Sequence, residues 1–186
     1  LPTPALAHLV RWLPCRLLPA PAHAFIQPAQ GNDRLVLGTS RRKGSLPAGI
    51  EEVSLEDLFA RSDAIAVCCA LTEQTRGLVS SGLIGRMRPS AVLVNVSRGA
   101  VIETPALIEA LRSGQIGGAA LDVFDVQPLP PNDALFECPN LLLTPHTAGI
   151  TATSGRAMAV GAAEEMLRIL RGEQPLNLVN PAYKAA

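Results

Sequence analysis

The segment Ala91-Val92-Leu93-Val94-Asn95-Val96-Ser97-Arg98-Gly99 passes from an unbroken apolar run into a short polar turn. A run that is continuous rather than alternating marks a strand covered on both faces, the pattern of a parallel sheet. Ser80-Ser81 opens a short helix to Met87 just before it, and Pro89 stops that helix. After it, Thr104 or Glu103 begins a helix from Pro105 to Arg112, which ends at Gly114. Helix, buried strand and helix in that order form the unit of an α/β fold.

The alternation continues on both sides. Toward the N-terminus, Arg34-Leu35-Val36-Leu37-Gly38 reads as a short strand bounded by turn formers. Ser54 caps a helix through Leu55-Glu56-Asp57-Leu58-Phe59, with Asp57 at the third position of a loose capping box. Ala64-Ile65-Ala66-Val67-Cys68-Cys69 is a second continuous strand. Toward the C-terminus, Gly118-Ala119-Ala120-Leu121 and Asn140-Leu141-Leu142-Leu143-Thr144 read as strands, and a long helix runs from about Thr151 to Arg171, closed by Gly172. This spacing predicts right-handed crossovers and a parallel sheet with helices on its faces.

Of the 186 residues 48% are apolar, and 16 basic residues balance 16 acidic ones. The first figure supplies a sizeable core and excludes disorder over the whole length; the second removes any global field toward nucleic acid or an anionic membrane. No apolar run approaches the roughly 18 to 20 residues that cross a bilayer. Cysteines at 15, 68, 69 and 138 show no C-x-x-C spacing, so neither a disulfide framework nor a metal site is expected. A soluble protein of a reducing compartment, the cytoplasm, is the expectation. The first 32 residues hold six prolines and no Asp or Glu. Ala22-His23-Ala24 resembles a cleavage site, but Arg11, Pro14 and Arg16 interrupt the apolar stretch that a signal peptide needs. Residues 1–33 read as a leader, a truncated or mis-joined beginning rather than a targeting segment.

Ligands of an open parallel sheet bind beyond the carboxyl ends of its strands. Ser40-Arg41-Arg42, Ser97-Arg98-Gly99, Asp122 and Pro145-His146 each follow a strand. Each has a plainer reading: Arg98 as a strand-end salt bridge, Asp122 as a cap, His146 as a satisfied structural residue, Arg41 and Arg42 as solvated charge. Together on one rim, an Arg, an Asp and a His favour a site. Glu103, Glu109, Glu164 and Glu165 sit on helices and read as solvent-facing; His8 and His23 carry no assignment.

At these residues the text becomes specific. Met87 to Gly99, Gly117-Gly118-Ala119-Ala120-Leu121-Asp122-Val123-Phe124 with Pro128-Leu129-Pro130, and Thr144-Pro145-His146-Thr147-Ala148-Gly149 resemble, in order and spacing, the signatures of the D-isomer-specific 2-hydroxyacid dehydrogenases, in particular the glyoxylate and hydroxypyruvate reductase branch. The resemblance runs from about Arg34 to Pro181. It implies a doubly wound, Rossmann-like sheet, with residues 34–150 as a partial NAD(P)-binding domain. Residues 151–186 would then be the long helix and the C-terminal strip returning to a substrate domain. It implies that Arg98 holds the substrate carboxylate and keto oxygen, that His146 gives or takes the proton, and that Asp122 orients the nicotinamide carboxamide. Ala70, Val96, Ala148 and Gly149 would lie where the backbone passes the cofactor. A homodimer follows from the same analogy.

Ser40-Arg41-Arg42-Lys43 contains no acid to bind a ribose 2′-hydroxyl, and its basic residues suit a 2′-phosphate. NADP is therefore expected over NAD. Gln127 stands where most of the family has Glu; it can orient His146 but not stabilise imidazolium by charge. Keto-acid reduction should then fade at lower pH than in a Glu enzyme. Formate dehydrogenases of the same superfamily carry Gln here, which keeps that branch open as an alternative. The resemblance also implies an N-terminally incomplete chain, lacking the first βα unit, its G-x-G-x-x-G loop and most of the substrate domain. The lost strand would be central, its slot open unless Ala24-Phe25-Ile26 or a partner chain fills it. A catalytically dead paralogue or fragment, acting as a nucleotide- or partner-binding module, is the non-enzymatic alternative.

Overall fold

A computed structural model describes residues 5–9, 35–40, 44, 46–178 and 180. Contacts divide the chain into two compact units, Leu1–Ala148 and Gly149–Ala186. The first unit is built on seven strands: β1 (Ala5–Leu9), β2 (Leu35–Thr39), β3 (Glu51–Glu52), β4 (Ala64–Val67), β5 (Val92–Asn95), β6 (Gly118–Leu121) and β7 (Leu141–Leu143). Their order is β3-β2-β1-β4-β5-β6-β7, and every neighbouring pair is parallel. Helices α1 (Leu55–Arg61), α2 (Ser81–Ile84) and α3 (Thr104–Arg112) connect them. The α/β reading thus stands, with ends moved by up to three residues, the largest shift being α2, which stops at Ile84 and not at Met87. The two-residue β3 and the 3-10 turns Gly99–Val101 and Ala134–Glu137 were not expected.

The centre of the sheet differs from the expectation. β1 occupies the slot between β2 and β4, with Ala5 opposite Leu35 and Leu6 opposite Ala64. Ala24-Phe25-Ile26 lie outside the described residues. The physical reason is that two flanking strand edges present unpaired N–H and C=O groups, and backbone pairing is indifferent to side-chain identity. A segment without motif text can therefore serve as the central strand.

Helices cover the sheet because their apolar stripes have nowhere else to go. Leu58 and Phe59 of α1, and Leu107, Ala110 and Leu111 of α3, join Leu37, Ile65, Val67, Leu93 and Leu121 of the strands in one core. Full burial of a Leu or Phe contributes about 1.5–3 kcal/mol. Ser54 caps α1 by accepting from the Asp57 amide at 3.0 Å. At Gly99 the backbone of Phe124 and Asp125 crosses so closely that an added Cβ would lie 2.0 Å from the Phe124 carbonyl carbon.

The second unit holds α4 (Ala152–Leu170). Thr151 and Ser154 form a reciprocal capping box: the Thr151 hydroxyl accepts from the Ser154 amide at 3.0 Å, and Ser154 Oγ accepts from the Thr151 amide at 2.8 Å. No residue of α4 is buried, and Met158, Met166 and Leu170 are exposed.

Candidate active site

Because all the strands run parallel, their carboxyl ends share one edge, and the turns leaving that edge carry the candidate groups. Arg98 leaves β5. Its turn is folded by buried Asn95, whose Oδ1 accepts from the Ser97 amide (3.0 Å) and hydroxyl (2.9 Å) while its Nδ2 donates to the Arg98 carbonyl at 3.0 Å. Arg98 is exposed as a residue, and its Nη1 donates to the Ser97 carbonyl at 2.6 Å. Five N–H donors in a planar fork leave it able to engage a carboxylate as well.

Asp122 leaves β6 and is 4% exposed. Its Oδ1 accepts from the Thr144 hydroxyl at 2.5 Å and the Thr147 amide at 2.8 Å; its Oδ2 accepts from the Ala148 amide at 3.0 Å. Burial works to raise this carboxyl. The bonds from Thr144, Ala148 and Thr147, together with the charge of the His146 ring, outweigh it and hold the group below its usual range.

Those three donors belong to the turn that carries His146. His146 has φ 57°, a left-handed conformation that costs a non-glycine residue about 1–3 kcal/mol. Asp122 holds the backbone of that turn, and a second group holds the ring: Nδ1 of His146 lies 2.8 Å from Oε1 of Gln127. Gln127 Nε2 donates in turn to the Phe124 carbonyl at 3.3 Å. Asp122, Gln127 and His146 are thus brought together.

Arg98 and His146 open onto different spaces. Arg98 lines a cavity of about 680 Å³ with Arg76 and Glu103; His146 lines one of about 600 Å³ whose walls are mainly Pro128, Leu129, Phe136 and Leu143. Phe124 lines both.

Ala70 follows β4, where its carbonyl accepts from the Thr75 hydroxyl at 2.8 Å, and Val96 follows β5. Ser40 follows β2; Arg41 and Arg42 lie outside the described residues. Ala148 is bound to Asp122, whereas Gly149 begins the second unit, where its carbonyl accepts from Ser154 Oγ at 2.7 Å. Sequence reasoning missed Asn95 and Thr144 as positioning residues. The signal was present: each is a polar residue ending an apolar strand on the ligand-binding edge. Among the described residues no cluster of three or more His, Cys, Asp or Glu side chains could hold a metal ion, and no helix is long and apolar enough to cross a membrane.

Residues 22–148 match the D-isomer specific 2-hydroxyacid dehydrogenase family over its NAD binding domain. The chain belongs to that family. It is 41% identical over 149 residues to a glyoxylate reductase of Aeropyrum pernix, covering 79% of this chain and 44% of that one. A crystal structure of a D-isomer specific 2-hydroxyacid dehydrogenase from Xanthobacter autotrophicus Py2 in complex with NADPH and MES matches with TM-score 0.76 at 35% identity, covering 96% of this chain and 71% of that one. The NAD complexed form of such a dehydrogenase from Lactobacillus delbrueckii ssp. bulgaricus matches with TM-score 0.77 at 26% identity, covering 94% and 56%. The chain spans about half the length of the curated relatives it matches.

Proposed function

We propose that the protein is an oxidoreductase that transfers hydride between NADP(H) and a small 2-hydroxy or 2-keto acid of the glyoxylate or hydroxypyruvate class. The observation that carries this reading is the His146–Gln127 pair beside the Asp122-bound turn, on the same sheet edge as Arg98. The names of the relatives support the substrate class.

The residues at this edge fit the nicotinamide half of the cofactor. Asp122 Oδ2 carries one donor where an ionised carboxylate oxygen has room for another, which suits a carboxamide N–H. Ala70, Val96 and Ala148 supply backbone around it. The bound cofactor supplies or takes up the hydride. Arg98 holds the substrate carboxylate, His146 Nε2 moves a proton to or from the substrate oxygen, and Gln127 keeps the ring aimed. Ser40, Arg41 and Arg42 favour a 2′-phosphate over a 2′-hydroxyl. A homodimer in the cytoplasm completes the proposal.

The test is NADPH oxidation by the purified chain with glyoxylate and with hydroxypyruvate, run beside NADP⁺ reduction with formate. Turnover of the keto acids supports the reading. Formate-dependent reduction alone moves the assignment to the branch that Gln127 favours. Cofactor binding without turnover makes the chain a nucleotide-binding module.

A further inference from the structure

We propose that Arg76 is a specificity residue, which with Arg98 selects 2-keto acids that carry a second carboxylate away from the reacting carbon. Both arginines line the cavity of about 680 Å³. Their backbones are tied to one another: the Gly77 amide donates to the Ala100 carbonyl at 2.8 Å, and the Val79 amide to the Val101 carbonyl at 3.0 Å. On the other side of Arg76, buried Thr75 donates its hydroxyl to the Ala70 carbonyl at 2.8 Å and accepts from the Thr72 amide at 2.6 Å. Both cations thus stand on anchored backbone. Among the described residues the Arg76 side chain has no hydrogen bond or ion pair, and Arg98 uses one donor on the Ser97 carbonyl. Two guanidinium forks therefore line one space with donors to spare.

The acids of the cavity decide which ligand this suits. Glu103 and Asp125 line it too; Glu103 Oε2 accepts from the Ser81 amide at 2.9 Å, and Asp125 Oδ2 from the Thr104 hydroxyl at 3.2 Å. Two negative charges offset two positive ones, so a loose anion gains little from the field as a whole. A ligand gains by direct contact with both forks, which requires two anionic groups on one molecule. A carboxylate carries one charge and a phosphate up to two, so Glu103 and Asp125 disfavour the phosphate. The inference rests on the proposed dehydrogenase reading, in which Arg98 holds the carboxylate next to the keto carbon, and narrows its substrate class. Glyoxylate and hydroxypyruvate bear one carboxylate each and would leave Arg76 unused.

The experiment is calorimetric titration of the full chain, without cofactor, with D-malate against D-lactate and D-2-hydroxyglutarate against D-2-hydroxybutyrate. Each pair differs by one carboxylate, and the two pairs differ in reach. At least one dicarboxylate should bind about tenfold or more tightly than its partner, the effect of one charge-assisted contact. Arg76→Met, which keeps an apolar stem, should bring that ratio close to one. Arg86→Met should leave it in place, since Arg86 is exposed and lies outside the cavity. Arg76 is exposed as well, so its replacement does not threaten the core. Equal binding within both pairs, no binding of either dicarboxylate, a ratio unmoved in Arg76→Met, or one lost equally in Arg86→Met overturns the proposal. The dehydrogenase reading fails separately: a chain that keeps the dicarboxylate preference but oxidises no NADPH with any keto acid loses that reading and retains the Arg76 assignment.

Discussion

The Asp122 carboxylate and the Thr144 hydroxyl meet at 2.5 Å, joining the ends of two neighbouring strands. Asp122 also takes the amides of Thr147 and Ala148, so one buried acid organises the turn that holds His146 left-handed. Asn at this position would present an NH₂ to donors on one side and lose the charge. Asp122→Asn should therefore destabilise the chain by about 2 kcal/mol at neutral pH. The sign of the pH dependence follows from the direction of the shift. The folded carboxyl lies below its ordinary value of 3.8, so its contribution is present above that value and lost as pH falls through the folded one. Urea unfolding from pH 7 to pH 2 should show the gap between the two proteins closing below 3.8. A gap constant over that range contradicts the account.

Gly99 is the second point of close contact. A Cβ there would meet the Phe124 carbonyl carbon at 2.0 Å and the Asp125 nitrogen at 2.3 Å, both backbone atoms that cannot swing aside. Gly99→Ala should cost about 3 kcal/mol, read as a lowered denaturation midpoint. A midpoint within error of the unaltered chain would mean that the 124–125 loop yields freely.

The proposed preference for NADP rests on the charge of Arg41 and Arg42. Replacing Arg41 and Arg42 with Glu should lower the NADPH/NADH preference by about tenfold or more, the effect of losing one charge-assisted hydrogen bond. Calorimetric titration with both cofactors measures it. An unchanged ratio assigns those arginines to solvent.

Burial, with a smaller effect of neighbouring Cys69, pushes the Cys68 thiol up to about 12. Cys68 and Cys69 should therefore resist a thiol reagent until the chain unfolds, leaving at most two of the four cysteines, Cys15 and Cys138, open to labelling. Counting released chromophore before and after denaturant tests this. Four fast thiols in the native chain would show that the β4 edge of the core opens readily.

Much of the first unit was legible because its strands are covered on both faces. Ala64–Val67, and Val92–Asn95 up to its closing Asn95, carry unbroken apolar text that only a buried parallel strand needs. Arg98, Asp122 and His146 were legible for the complementary reason: each interrupts apolar text at a strand end. The central strand was not legible, since Ala5–Leu9 are held there by backbone pairing with β2 and β4. Nor was the role of Phe124, which contributes to the His146–Gln127 pair through its carbonyl; a main-chain oxygen leaves no mark in the text.

That same central strand is the piece whose removal would divide the sheet. A protein begun at residue 34 would present a groove one strand wide between β2 and β4, edged with free backbone donors and acceptors. A peptide carrying residues 1–10, offered separately, would close the sheet by mass action, its stabilising effect growing with concentration as RT ln(1 + [L]/Kd). Such a split protein would be a lock with a detachable bolt, its sheet closed from outside by the added strand.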